Sequence, residues 1–278
     1  MSENKSGITN RWTMPWIDLK VHGLLWIHIN AVAAGEDNLL ITGPKGLGKS
    51  KSTQRLLKRF EKEERQRPEV RSGTERPRKY EMYASGRADG SKSALRDLMD
   101  ALGYPLSDRD WRNSTPTSII EDVVDVMKGP AGTRGLRMIC IDEADEISPS
   151  NLDDLRKVLD KGEQSGYPIG MILIGNGPVA ESLRANKELG ERFGTSLTFS
   201  PPNDQLVIDK LPTLHPHLAI LSEAPGWDAL SDKILDHMEG SWRRLEKLIT
   251  AANRYANTKG TLLDEDAFEF AFLTRARE

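Results

Sequence analysis

Gly43, Gly48, Lys49 and Ser50 stand at a spacing that could grip a polyphosphate. They lie in Gly43-Pro44-Lys45-Gly46-Leu47-Gly48-Lys49-Ser50-Lys51, the pattern Gly-x4-Gly-Lys-Ser of a P-loop. Glycines let successive backbone N–H groups turn inward and cradle phosphate oxygens with no Cβ in the way. Lys49 would place a point charge on the β- and γ-phosphates, and the Ser50 hydroxyl would hold Mg²⁺. The ligands implied are ATP and Mg²⁺, with residues 43 to 51 in contact with them. A glycine-rich turn that binds nothing is the bland alternative, and the flanking elements argue against it. Leu39-Leu40-Ile41 reads as a buried parallel strand, and Thr53, Leu56, Leu57 and Phe60 follow at helical spacing. A helix starting at the loop adds its positive end to the site.

A second constellation is Met138-Ile139-Cys140-Ile141-Asp142-Glu143, an apolar strand ending in two acids. This is the Walker B arrangement, on a strand expected beside the P-loop strand, with its acids at the carboxyl edge where open parallel sheets bind ligands. Asp142 would hold Mg²⁺ through water, and Glu143 would act as general base on the attacking water. The competing reading is an acidic cap on the next helix. Asp145 falls in the next turn, where it would cap or support. Cys140 reads as core packing. A third apolar run, 170–175, ends in Asn176. The Asn176 amide could orient the lytic water, or it could serve as a turn residue before Gly177-Pro178.

These side chains need elements to carry them. A helix is expected over 19–34, stopped by Gly35, either beside the nucleotide base or covering the sheet edge. Residues 55–79 carry ten Lys/Arg against five Glu, a helix tail and loop that is either solvated or in contact with phosphates. A second strand spans 80–84, and Ser91 caps a helix through Leu102. Residues 104–115 read as a loop, and a helix begins at Thr117 or Ser118. Another helix spans 151–161, and 196–199 forms a closing strand. The 278 residues carry a net charge of −3, with 37% hydrophobic and 29% charged, which suits a water-soluble protein with a real core. No apolar run approaches the roughly 18 residues of a membrane span. Met1 to Lys5 lacks an apolar signal region, so a cytoplasmic protein is expected. The single cysteine excludes an intrachain disulfide and a cysteine-rich zinc site.

Together with Leu189-Gly190-Glu191-Arg192-Phe193, these motifs resemble the core of an AAA+ ATPase. The resemblance implies an αβα sandwich with a parallel sheet over 20–202, after an extension, 1–19, and before a small all-helical lid, 203–278. It makes Arg192 the arginine finger, reaching the nucleotide of a neighbouring subunit. Gly240-Ser241-Trp242-Arg243-Arg244-Leu245 resembles the sensor-2 motif, which would put Arg243 on the nucleotide in cis, with Arg244 as its competitor.

The short chain, the Ile141-Asp142-Glu143-Ala144-Asp145 form of Walker B, the Ile174-Gly175-Asn176-Gly177 turn and the small lid look like the transposition regulators of the MuB, TniB and TnsC group. That likeness implies an ATPase that oligomerises on duplex DNA as a ring or filament and marks a target for a transposase, with a further target-selection factor as a possible partner. A helix-turn-helix like that of MuB and a long recruiting tail are not expected here, which makes the chain look closer to the compact TniB/TnsC type. Arg87 and Lys92 after the second strand, and Arg109 and Arg112 before the Walker B strand, are the DNA contacts expected, against a reading as solvated loops. Alternatives are an initiator or loader ATPase of replication and a nucleotide-switched scaffold that binds no DNA. A helicase is excluded, since one P-loop in 278 residues cannot supply two RecA-like domains.

Overall fold

A chain that alternates short apolar strands with amphipathic helices closes into a parallel sheet with helices on both faces. The computed structural model describes residues 14–84, 92–129 and 135–275. They divide into two units: Leu19–Ser200, and the described parts of Pro201–Glu278 with Met1–Asp18. The first unit carries five parallel strands, β1 Leu39–Thr42, β2 Lys79–Ala84, β3 Leu136–Asp142, β4 Gly170–Ile174 and β5 Thr195–Thr198, in the order β2-β3-β4-β1-β5. The strands β1 and β4 are buried at every residue. Side chains alternate between faces along each strand. On one face, α1 Lys20–Ala34 and α2 Lys49–Glu64 pack on Leu39, Ile41, Met138, Cys140, Ile172 and Ile174. On the other, α4 Ser93–Ala101, α6 Pro116–Lys128 and α7 Pro149–Gln164 pack on Leu40, Ile139, Ile141, Met171 and Leu173. Short helices fill the connections: α3 Pro68–Arg71, α5 Asp108–Asn113, α8 Gly177–Ala185 and α9 Lys187–Arg192.

Several expectations change. The Walker B strand β3 does not lie beside the P-loop strand; β4 runs between them. Apolarity reports that a strand is buried, not which strand it neighbours, and β4, apolar throughout, takes the centre. The helix α1 covers a face of the sheet rather than its edge: Leu25, Ile29, Val32 and Ala33 belong to the core on that face. The expected loop 104–115 contains α5, because Ser107 accepts a hydrogen bond from the Asp110 N–H and two acids fill the first turn. Thr115 caps α6 in a reciprocal pair with Ser118, and Pro116 takes the first helical position, so the helix begins before Thr117. Ser148 caps α7, which therefore runs longer at both ends than 151–161. The cap position of α4 belongs to Lys92, in a left-handed conformation with φ 72°, whereas Ser91 lies outside the described residues. Cys140 is buried as expected, and burial, then the Asp142 charge, pushes its thiol well up.

The second unit is helical: α10 Asp204–Leu214, α11 Pro216–Leu221, α12 Trp227–Met238, α13 Trp242–Lys259 and α14 Glu265–Arg275. Leu211, Leu218, Ile234, Leu245, Leu248, Ile249 and Phe268 are fully buried, each aliphatic one stabilising by roughly 1.5–3 kcal/mol. No helix among the described residues is long and apolar enough to cross a membrane.

Candidate nucleotide site

The parallel sheet puts the carboxyl ends of β1, β3 and β4 on one edge, with Ile141 opposite Leu173 and Ile174 opposite Ile41. Gly43, Asp142 and Gly175-Asn176 therefore come together there. The loop leaving β1 turns through three glycines with positive φ, Gly43 (133°), Gly46 (86°) and Gly48 (85°), where other residues would be strained. A Cβ on Gly43 would stand 2.2 Å from the Phe199 carbonyl oxygen, whereas one on Gly48 would meet nothing closer than 3.8 Å. Glycine at 43 thus admits the neighbouring strand, and glycine at 48 serves the turn into α2.

Lys49 opens α2 and is buried. Its Nζ donates to the Gly43 and Pro44 carbonyls at 2.6 and 2.9 Å, and to Asn176 Oδ1 at 3.4 Å. Asn176 is fixed in turn by Asp145. The Asn176 N–H donates to Asp145 Oδ1 at 3.1 Å and its Nδ2 to Asp145 Oδ2 at 2.8 Å. That second bond decides the amide's orientation, with nitrogen toward Asp145 and oxygen toward Lys49. Asp145 thus takes the supporting role foreseen for it, while Asn176 also occupies the cap position of α8. Asp142 ends β3 half-buried and accepts from the Glu143 N–H at 3.0 Å. Glu143 is exposed, in a left-handed turn with φ 55°, a conformation that costs a non-glycine residue of order 1 kcal/mol.

Behind the loop sits a residue that the motif reading missed. His22 of α1 is buried; its Nδ1 accepts from the Leu19 N–H at 3.1 Å, so its Nε2–H donates to Ser52 Oγ at 3.0 Å. His22 shares a helical face with Leu25, Ile29 and Val32, and a polar residue on that apolar stripe was the signal available.

The other expected residues lie elsewhere. Arg192 ends α9 and pairs with two carboxylates of α7, Asp160 at 2.6 Å and Glu163 at 2.7 Å. In the helical unit, Ser241 caps α13, and Arg243 and Arg244 are both exposed in its first turn. Arg244 pairs with Glu239, while Arg243 has no ion pair among the described residues. Lys92 is not a free surface cation. Its Nζ donates to the Trp111 and Ser114 carbonyls at 3.1 and 3.0 Å and lies 4.9 Å from the Trp111 ring centre. Arg109 and Arg112 are exposed on α5, and Arg87 lies outside the described residues.

The donors fit the ligands implied. Three glycine turns and a buried lysine suit phosphates, and the Ser50 hydroxyl and Asp142 carboxylate are hard oxygen donors of the kind Mg²⁺ takes together with phosphate oxygens. Among the described residues no cluster of three or more His, Cys, Asp or Glu could hold a metal alone.

Comparisons with known proteins agree on the fold. The chain is similar to the Aeropyrum pernix ORC2 protein, solved as ADPNP and ADP complexes, with a TM-score of 0.67 and 19% identity over 95% of this chain and 70% of that one. It is similar to Cdc6p of Pyrobaculum aerophilum, with TM-score 0.61 and 15% identity over 89% of this chain and 65% of that one. It is also similar to domain III of the replication initiation protein DnaA of Thermotoga maritima, with TM-score 0.54 and 15% identity over 93% and 92%. No curated protein matches. The model of one family, described as AAA domain, matches residues 33–183, more than half of the chain, from the helix before the P-loop to the helix after Asn176. With the strand order and the nucleotide cradle described above, this makes the chain a member of the AAA domain family.

Proposed function

We propose that the protein is a Mg²⁺-dependent ATPase that binds duplex DNA in its ATP state and marks a target site for a DNA transposase. The connection Lys49–Asn176–Asp145, beside Asp142 and Glu143, carries the ATPase part. Bound MgATP would supply the phosphoanhydride to be cleaved and the metal charge on its oxygens. Lys49 would exchange the Gly43 and Pro44 carbonyls for phosphate oxygens, a gain for a cation now bonded to neutral acceptors. Ser50 and Asp142 would hold the metal. Glu143 would take the proton of the attacking water, and Asn176, its amide turned by Asp145, would orient that water. Arg192 of a neighbouring copy would complete the site in an oligomer, and Arg243, with no ion pair among the described residues, would reach the nucleotide in cis in preference to Arg244.

The DNA and transposase parts rest on the Walker B and Ile-Gly-Asn-Gly forms of the sequence, with Arg109 and Arg112 as exposed phosphate contacts. A solved relative of this fold, the Aeropyrum pernix ORC1 protein, is in complex with DNA. The likeness to domain III of the replication initiation protein DnaA favours a second reading, a replication initiator or loader. Turnover measured with and without duplex DNA, on wild type and Glu143→Gln, tests the proposal. Wild type should be DNA-stimulated. Glu143→Gln should bind ATP and DNA but turn over about 10²–10⁴-fold more slowly. Wild-type rates in Glu143→Gln would remove the base assignment, and no ATP-dependent duplex binding at low salt would remove both DNA readings.

A further inference from the structure

We infer that the Leu19–Ser200 unit carries a second oxyanion site, at the sheet edge opposite the P-loop, that takes the phosphate of a phosphate ester. A cavity of about 670 Å³ opens where β2, β3 and β4 begin. Four guanidinium groups line it, those of Arg67, Arg76, Arg78 and Arg137, with the carboxylate of Glu75; beside it Glu64 pairs with Arg67 and Arg78, and Glu69 with Arg67.

Arg67, Arg78 and Arg137 are held in place before any ligand arrives. Arg137 lies 3.8 Å over the ring of buried Tyr167 and donates to the Pro168 carbonyl at 3.5 Å. Arg67 and Arg78 are braced from behind by buried Glu64, at 3.1 and 2.6 Å. Burial alone would raise the Glu64 carboxyl; the hydrogen bonds and charge of Arg78, with those of Arg67, outweigh it and hold the group below its usual range. Glu64 is therefore ionised and keeps both forks fixed. Arg67 also reaches Glu75 at 2.7 Å and Glu69 at 3.8 Å, both exposed. The Nε–H of Arg78 is buried and has no acceptor among the described residues.

This donor set favours phosphate over carboxylate. One arginine fork saturates a carboxylate, whereas a phosphate presents more oxygens and more charge and accepts from several forks at once. The site is distinct from the nucleotide cradle, since a parallel sheet puts strand starts and strand ends on opposite edges. The phosphate could belong to a nucleic-acid backbone or to a free phosphate ester.

The test is modification of the intact protein by phenylglyoxal, mapped peptide by peptide so that this edge is read separately from the P-loop. The probes are inorganic pyrophosphate, a short DNA duplex and polyglutamate. Arg76 and Arg137 should be modified several-fold more slowly in the presence of pyrophosphate or duplex. Arg137→Lys, which keeps the charge and loses the fork, should reduce the protection of Arg76. Protection by pyrophosphate assigns free phosphate esters as ligands, and protection by duplex alone assigns the nucleic-acid backbone. Equal protection by polyglutamate would overturn the inference in favour of an acidic protein segment, and so would no protection by any probe.

Discussion

Asn176 owes its orientation to one carboxylate. Asp145 takes both its backbone N–H and its Nδ2, which leaves the amide oxygen facing Lys49. Asp145→Ala should therefore act through Asn176: turnover should fall about tenfold or more with little change in ATP affinity, and Asn176→Ala should cost about the same. The double variant should be no worse than either single one, because the residues act as a unit. Additive losses in a kcat comparison would separate the two roles. Lys49→Ala should abolish nucleotide binding, measured by equilibrium titration, since the phosphates lose their main charge partner. At this scale the sequence showed which motif residues meet at the sheet edge. The P-loop and the two acids at the end of β3 could be read because backbone-dictated chemistry demands fixed spacings. The hydrogen bonds of Asp145 and His22 could not, because they join residues far apart in the chain.

Elements were legible where local rules decide them. The stop of α1 at Gly35, in a left-handed conformation, follows from glycine alone. The helix α5 was hidden, since five of its six residues are polar and only a capping serine marks them. The capped start of α11 permits a pH prediction. His215 caps this helix through Nδ1, which accepts from the His217 N–H. Burial, then the charge of His217, pulls its imidazole below the ordinary 6.5. The unfolded chain therefore binds the proton more readily than the folded unit, so this contribution to stability is complete above pH 6.5 and is lost as pH falls through that value. Thermal melting of the Pro201–Glu278 unit should fall between pH 7.5 and 5.5. His215→Asn, which can still cap, should flatten the curve. At α9, the pairs of Arg192 with Asp160 and Glu163 keep the expected finger on its own subunit. The pair with Glu163 is exposed and worth about 0–1 kcal/mol, so a neighbour's phosphates can displace it, whereas Asp160 is partly buried. Glu163→Gln should lower the protein concentration at which turnover becomes cooperative, by up to about fivefold if one pair is released.

At the scale of the molecule, the site proposed here would be shared between copies. Arg192→Ala should bind ATP and hydrolyse it poorly, since a trans arginine is worth about 10³–10⁵ in rate in comparable NTPases. Mixing it with Lys49→Ala subunits should partly restore turnover; no rescue, with both variants folded, would assign Arg192 a role within its own chain. Strand order was the part of the whole that the sequence withheld, and it has a consequence in time. The strand β1 is made early, but its partners β4 and β5 come late. Thr42 meets Thr198 across 156 positions, and Asn38 holds Met171 across 133. A ribosome adding about 5–20 residues per second needs roughly 7–30 s to cover that distance. Through that interval Leu39, Leu40 and Ile41 have no strand beside them, and the P-loop has no Asn176 to close it. Competence to bind nucleotide should therefore appear on the nascent chain only once residue 198 has cleared the exit tunnel, in one step rather than by stages.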